Sequence, residues 1–276
     1  MNNIIVPIDF STGALYALKY AVRIAAKAKS NLTLVWVDNQ INQLSILSSS
    51  DTSLREDANS KMIELVEKYQ KTLAGKMDYK LRKGKVYTEV SNLAKQKEAD
   101  LIVAGTYGGS GFEKFWIGSN AYRIVTHAPC PVITVRFVSP VRFSLKKIVM
   151  PIDNSPATLQ KLGITVEFAQ TFQAEVHVLS LLTEKLRTLR MRTEANTREA
   201  LKYLEKYNVK SELAVFETEN ITSTLLDYAI NIKANMISIM TEQELSESRT
   251  LLGPNARIII KESPIPVLCS HSQNRI

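Results

Sequence analysis

Five of the ten glycines in this 276-residue chain fall between residues 105 and 118. They stand in Gly105-Thr106-Tyr107-Gly108-Gly109-Ser110-Gly111 and, further on, in Gly118-Ser119-Asn120. Glycine admits positive φ and lets another group approach the backbone closely. Ser119 is of the type that caps a helix, and a helix beginning near Asn120 would present uncapped amides to an anion. A glycine-rich loop running into a helix start is thus suited to cradling phosphate. The same pattern also serves as a tight strand-to-helix turn without ligand, and glycine count alone does not choose between the two. Asp9, with Ser11 two residues on, is the other chemically suggestive pair. It reads as a turn cap rather than as a base and nucleophile.

These residues need a scaffold, and the chain repeats one. Ile4-Ile5-Val6-Pro7-Ile8-Asp9-Phe10-Ser11 returns as Ile148-Val149-Met150-Pro151-Ile152-Asp153-Asn154-Ser155 at an offset of 144. Near the end of each half, Asn120-Ala121 and Ala128-Pro129-Cys130-Pro131-Val132-Ile133 face Asn255-Ala256 and Ser263-Pro264-Ile265-Pro266-Val267-Leu268, at an offset of 135. Two domains follow, 1–140 and 141–276, joined by a short linker near Ser139–Ser144. In the first, Ile4–Ile8, Leu32–Val37, Tyr79–Lys83, Leu101–Gly105 and Val132–Arg136 are short, mostly apolar and rich in Val and Ile, as strands covered on both faces should be. Helical periods over Ala14–Lys29, Leu54–Leu73, Thr88–Lys97 and Asn120–Thr126 alternate with them. The second half predicts strands near Lys147–Ile152, Glu175–Leu182, Ser211–Phe216, Met236–Met240 and Val267–Ser270. Alternation of this kind means α/β domains, each a five-stranded parallel sheet doubly wound with helices on both faces. Ligands in such sheets bind beyond the carboxyl ends of the strands, where the winding reverses. Asp9, Val37 and the glycine-rich loop all belong to that end.

Composition narrows the classes. Hydrophobic residues make up 45% and charged residues 22% of the chain, which excludes disorder and fibres. No apolar run reaches the ~20 residues of a membrane span, and the first residues do not read as a secretory signal. Cys130 and Cys269 are the only cysteines and lie far apart, which argues against a disulfide scaffold and for a reducing cytoplasm. The net charge of +8 is uneven, with 18 Lys+Arg against 12 Asp+Glu in residues 1–140 and 17 against 15 beyond. An excess of this size suits either an anionic ligand or simple solubility. Basic clusters interleaved with aromatics are missing, so nucleic acid is not the leading partner. His127, His177 and His271 show no metal-ligand spacing, and no metal site is expected. His127 and His177 read as packed or hydrogen-bonded, and Cys130, between two prolines, as a small buried thiol.

The spacing Gly105-x2-Gly108-x9-Gly118-Ser119 matches the G-2x-G-9x-G-[S/T] signature of ATP-binding universal stress proteins, a pattern far more specific than a single short glycine motif. Val6-Pro7-Ile8-Asp9-Phe10-Ser11 resembles the first strand and turn of that family, and Thr126-His127-Ala128-Pro129-Cys130-Pro131-Val132 its passage into the last strand. The whole chain is similar to tandem universal stress proteins. The resemblance implies that Asp9 contacts the adenine region and that Val37 meets the adenine edge through its backbone. It places Gly105 and Gly108 along the ribose and phosphates, and Gly84 near the ribose. Gly118, Ser119 and Asn120 would hold the phosphates. It further implies ATP as ligand, with or without Mg2+, and a pseudo-dimer of the two domains through Val132–Arg136 and Val267–Ser270. A homodimer and an unidentified protein partner stay open.

At the same spacing the second half carries Met240 for Gly105, Gln243 for Gly108, Gly253 for Gly118 and Pro254 for Ser119, with Glu219 for Gly84. Glu242, Glu244 and Glu247 add negative charge where phosphates would lie. Only the first domain is therefore expected to bind nucleotide through this loop. The function expected is that of a nucleotide-dependent regulator or sensor in the stress response, with no catalytic residue assigned. The alternatives are a slow ATPase or phosphotransferase, for which Glu113 and Lys114 are the nearby polar residues, and an interaction module without nucleotide.

Overall fold

The computed structural model describes residues 1–39, 50–106, 118–137, 145–183, 186–241 and 252–271. Gly108, Glu113, Lys114, most of the segment 40–50, the linker 139–144, Glu242, Gln243, Glu244 and Glu247 lie outside them. The chain divides into two units, Met1–Ser139 and Pro140–Ile276.

The first unit runs β1 (Asn3–Pro7), α1 (Thr12–Ala28), β2 (Asn31–Asp38), α2 (Ser50–Gln70), β3 (Met77–Lys83), α3 (Val86–Gln96), β4 (Leu101–Gly105), α4 (Ser119–His127) and β5 (Val132–Val135). Its strands pair in parallel in the order β3-β2-β1-β4-β5. The chain thus builds outward from β1 in one direction, then crosses to β4 and builds in the other. That reversal opens a crevice between the carboxyl ends of β1 and β4. The central strands are buried over Ile4–Val6 in β1, Leu32–Val35 in β2 and Leu101–Ala104 in β4, as helices covering both faces require.

Helix α1 is held against this sheet by small residues. Ala14, Ala17, Leu18, Ala21 and Ala25 recur at intervals of three and four and are all buried. The helix begins because Ser11 Oγ accepts from the Ala14 amide at 3.2 Å. It stops at Lys29, whose left-handed conformation (φ 58°) returns its N–H to Ala25 O.

The second unit repeats the plan with β6 (Lys147–Ile152), α5 (Leu162–Phe172), β7 (Glu175–Leu182), α6 (Arg187–Lys206), β8 (Ser211–Glu217), α7 (Ile221–Asn231), β9 (Met236–Met240), α8 (Pro254–Glu262) and β10 (Val267–Ser270). The parallel order is β8-β7-β6-β9-β10. The doubly wound α/β fold expected from the alternation is present in both units. One difference is local. Where α1 forms a continuous helix, the second unit has a 3-10 turn, Pro156–Leu159, ahead of the shorter α5.

The interior of the second unit has also changed chemically. Lys161, Thr165 and Ser238 stand where the first unit has Ala17, Ala21 and Val103. All three are buried. Thr165 Oγ1 and Ser238 Oγ share a hydrogen bond of 2.8 Å, and Thr165 also donates to Lys161 O at 2.7 Å. Lys161 Nζ donates to Thr158 O at 2.5 Å and lies 3.2 Å from Thr158 Oγ1. Burial brings its pKa down to about 8, against the opposing attraction of Asp153.

Candidate functional site

A cleft of about 320 Å³ opens at the winding reversal of the first unit. Asp9, Ser11, Val37, Gly105, Thr106, Gly118, Ser119 and Asn120 are among its lining residues, with Val86 and Ile124 supplying apolar walls. Six of the eight residues singled out in the sequence therefore meet at one place.

Each arrives by a local cause. Asp9 follows β1 and accepts from the Ser11 amide at 2.9 Å and the Ser11 hydroxyl at 2.5 Å through Oδ1. The turn forces Phe10 to a φ of 61°, a conformation that costs a non-glycine residue about 1–2 kcal/mol. The Asp9–Ser11 pair is a turn and cap, as its spacing suggested. Val37 lies near the end of β2. The β1–β2 register stops at Pro7↔Val35, and Ile8 N still reaches Val35 O at 2.8 Å. Two residues further, Val37 directs its peptide edge to the same side, beyond the last residue of β1. Main-chain N–H and C=O groups are thereby presented to the cleft.

Gly105 ends β4, and of the two uses of glycine it serves close approach rather than positive φ. Among the described glycines only Gly84 has a positive φ, of 140°. Gly105 is needed for proximity. A Cβ there would stand 2.7 Å from both C and O of Gly13 in α1. The strand end and the helix start touch backbone to backbone. Gly105→Ala is expected to destabilise the chain by about 1–3 kcal/mol, the usual range for overpacking. Denaturant unfolding would show this as a lower midpoint at unchanged slope. In the second unit Met240 occupies the corresponding place, and the segment opposite is the 3-10 turn rather than a close-packed first turn of α-helix.

Gly118, not Ser119, is the N-cap of α4, and no side chain among the described residues caps this end. Ser119 instead opens the helix as its first residue. The reason is that Gly118 N donates to Thr106 O at 2.9 Å, drawing the chain back to the strand end before the helix starts. A Cβ on Gly118 would press to 3.0 Å from that same oxygen. The first amides of α4 therefore lack a capping side chain, and Ser119 and Asn120 are exposed in the cleft wall.

Gly84 stands at the turn from β3 to α3, where its N–H donates to Asp38 O at 2.9 Å. It is not among the described lining residues, whereas Val86 is. Thr106 was missed by the sequence reading. It is 2% exposed, lines the cleft, and its Oγ1 is buried without a hydrogen-bond partner among the described residues. Its position between two motif glycines was the available signal. The equivalent Thr241 hydroxyl is engaged by Ser270 O at 3.0 Å and His271 Nδ1 at 2.9 Å.

The residues set aside behave as packed groups. His127 Nδ1 lies 2.9 Å from Arg123 O and 2.8 Å from Thr126 Oγ1, and its ring packs on Tyr87. Burial, aided by Asp100, pushes the Cys130 thiol up to about 12. No described helix is long and apolar enough to cross a membrane.

A tandem pair of doubly wound α/β domains, one with a cleft at its winding reversal, is the class that fold and site define. The sequence profile of the Universal stress protein family matches residues 1–136 and again 144–271. The chain belongs to the universal stress protein family, as a tandem of two such domains, and that membership carries a role in the stress response. A universal stress protein of Methanocaldococcus jannaschii is 28% identical over 139 residues, 49% of this chain and 82% of that protein. A universal stress protein structure from Archaeoglobus fulgidus DSM 4304 has the same fold over both units. It covers 98% of each chain at a TM-score of 0.81 and 18% identity. A Pseudomonas aeruginosa PAO1 structure described as functionally unknown aligns over 99% of this chain and 94% of its own, at a TM-score of 0.70 and 18% identity.

Proposed function

We propose that the first unit binds ATP, or a closely related adenine nucleotide, in the cleft between β1 and β4, and that occupancy regulates the protein's part in the stress response. The observation that carries this reading is the convergence of Asp9, Val37, Gly105, Gly118, Ser119 and Asn120 on one crevice at the winding reversal. The residues present suit such a ligand. The volume of about 320 Å³ falls within the roughly 300–1,000 Å³ of small-molecule pockets. The Val37 peptide edge and the Asp9 carboxylate supply donor and acceptor groups for a base. At the other end, the amides of an uncapped helix start and the buried Thr106 hydroxyl favour an anion. Mg2+, when present, would be carried by the phosphates.

Regulation is favoured over turnover by the described part of the lining. Asp9 is the single carboxylate among the described lining residues, and one of its oxygens is engaged by Ser11. A phosphoryl-transfer enzyme needs a metal-holding acid and a group that orients the nucleophile.

The second unit is read as non-binding at the matching position. Pro254 offers no amide there, and Met240 replaces the open strand end. Titration of the full chain with ATP, followed by calorimetry, is expected to give one nucleotide per chain. Saturation at two, or no heat and no nucleotide retained after gel filtration, overturns the proposal.

A further inference from the structure

We propose that Glu175, His177 and Glu212 form a binding site for a divalent transition-metal ion of the Zn2+ type in the second unit. The three side chains come from two adjacent parallel strands. Glu175 and His177 are alternate residues at the amino end of β7 and so share a face. Glu212, near the start of β8, is the direct cross-strand partner of His177. The site thus lies at the opposite end of this sheet from Asp153. One ligand atom from each residue can be chosen so that all three lie within 4.8 Å of one another.

The geometry leaves an interaction unmade. His177 is 1% exposed, and its Nε2 is buried without a hydrogen-bond partner among the described residues. Glu175 Oε1, also buried and without such a partner, faces it at 3.7 Å. That separation is too long for a hydrogen bond. It is close to the distance between two ligands of one tetrahedral ion. Zn–N and Zn–O bonds of about 2.1 Å set at the tetrahedral angle place the donor atoms about 3.4 Å apart.

The neighbouring groups fit this role. His177 Nδ1 lies 3.0 Å from the Tyr228 hydroxyl, which α7 lays over the strands. When Nδ1 carries the proton and donates to Tyr228, Nε2 turns a lone pair toward Glu175, the tautomer a metal requires. Lys210 Nζ holds the other Glu175 oxygen, Oε2, at 3.1 Å and so orients Oε1 inward. The Glu212 side chain is 58% exposed, with Oε2 3.6 Å from His177 Nδ1, and would have to turn toward Nε2 to take the third position. Water would take the fourth. An imidazole nitrogen at the centre of the set favours Zn2+, Co2+ or Ni2+ over Mg2+ or Ca2+, which prefer oxygen alone. A bound ion would clamp the edge strand β8 to β7.

The test uses the full chain, stripped with chelator and free of nucleotide, titrated with Zn2+ by calorimetry and with Co2+ by visible absorption. One saturable site is expected, with a Co2+ spectrum of low coordination number. Glu212→Gln, at an exposed side chain that folding does not depend on, is expected to weaken binding at least tenfold. Tyr228→Phe is expected to weaken it several-fold by releasing the imidazole. Absence of saturable uptake overturns the proposal. So does equal affinity in the parent and Glu212→Gln, which would place the ion on other residues, and so does Mg2+ competing at concentrations equal to Zn2+.

Discussion

Ser119→Pro is expected to weaken ATP binding about 10–150-fold while leaving the stability of the chain nearly unchanged. The substitution copies the second unit, where α8 begins with Pro254 behind Gly253 at φ −58°, ψ 149°. Gly118 already has φ −53°, ψ 135°, the extended conformation that a following proline demands. Proline is tolerated at the first helical residue because the N–H it lacks has no partner within the helix. What is lost is one main-chain donor and one hydroxyl at the proposed phosphate end. A hydrogen bond to a charged group contributes about 1.5–3 kcal/mol, which sets the expected range of affinity. Calorimetric titration of parent and variant measures it, with thermal unfolding alongside. Ser119→Ala, which keeps the amide, should lose less. Unaltered affinity in Ser119→Pro would falsify the view that the start of α4 holds the phosphates.

The second large effect is one of stability. Lys161 is buried, with a pKa lowered from 10.5 to about 8 by desolvation. Below about pH 8 both the folded and the unfolded chain carry this proton, and the folded state bears the cost of an enclosed charge. Between about pH 8 and 10.5 the unfolded chain binds more proton than the folded one, so stability rises with pH. That contribution is complete above 10.5 and is lost as pH falls through about 8. For this fully buried group the displacement corresponds to about 3 kcal/mol. Lys161→Met, close in length and apolar, should remove the dependence and stabilise the chain at pH 7, since replacing enclosed charge by packed hydrocarbon is neutral to favourable. Denaturant midpoints of parent and variant between pH 7 and 10.5 test the sign. Parallel curves for the two proteins would show that the ammonium is not buried at a cost.

Much of this protein was legible as a pattern. The repeat of Ile4–Ser11 at Ile148–Ser155, together with short Val- and Ile-rich runs between helical periods, was enough to predict two parallel doubly wound sheets. A strand covered on both faces has no choice but to be apolar throughout, so its signal is local. The glycine spacing was equally legible, and in the first unit Gly105 and Gly118 both stand against main-chain atoms. Which of glycine's two uses applied, and which backbone is approached, was not legible. Neither adopts positive φ. Gly105 is required by the Gly13 backbone, more than ninety residues earlier in the chain, and that distance is set by packing. The cap of α4 was also misplaced by one residue, since the bond from Gly118 N to Thr106 O, which decides where the helix starts, spans a loop.

By itself, then, the order of residues determined the duplication, the fold class and the end of the sheet at which the cleft opens. These depend on periodicity and on steric rules that act over a few residues. Only the tertiary structure decided that Thr106 has a hydroxyl in the cleft with no partner among the described residues, that Lys161 is enclosed, and that His177 faces Glu175 and Glu212. Each of those facts concerns which atoms surround a polar group. Strand register and helix docking set that environment, bringing together residues 35 positions apart in the case of His177 and Glu212.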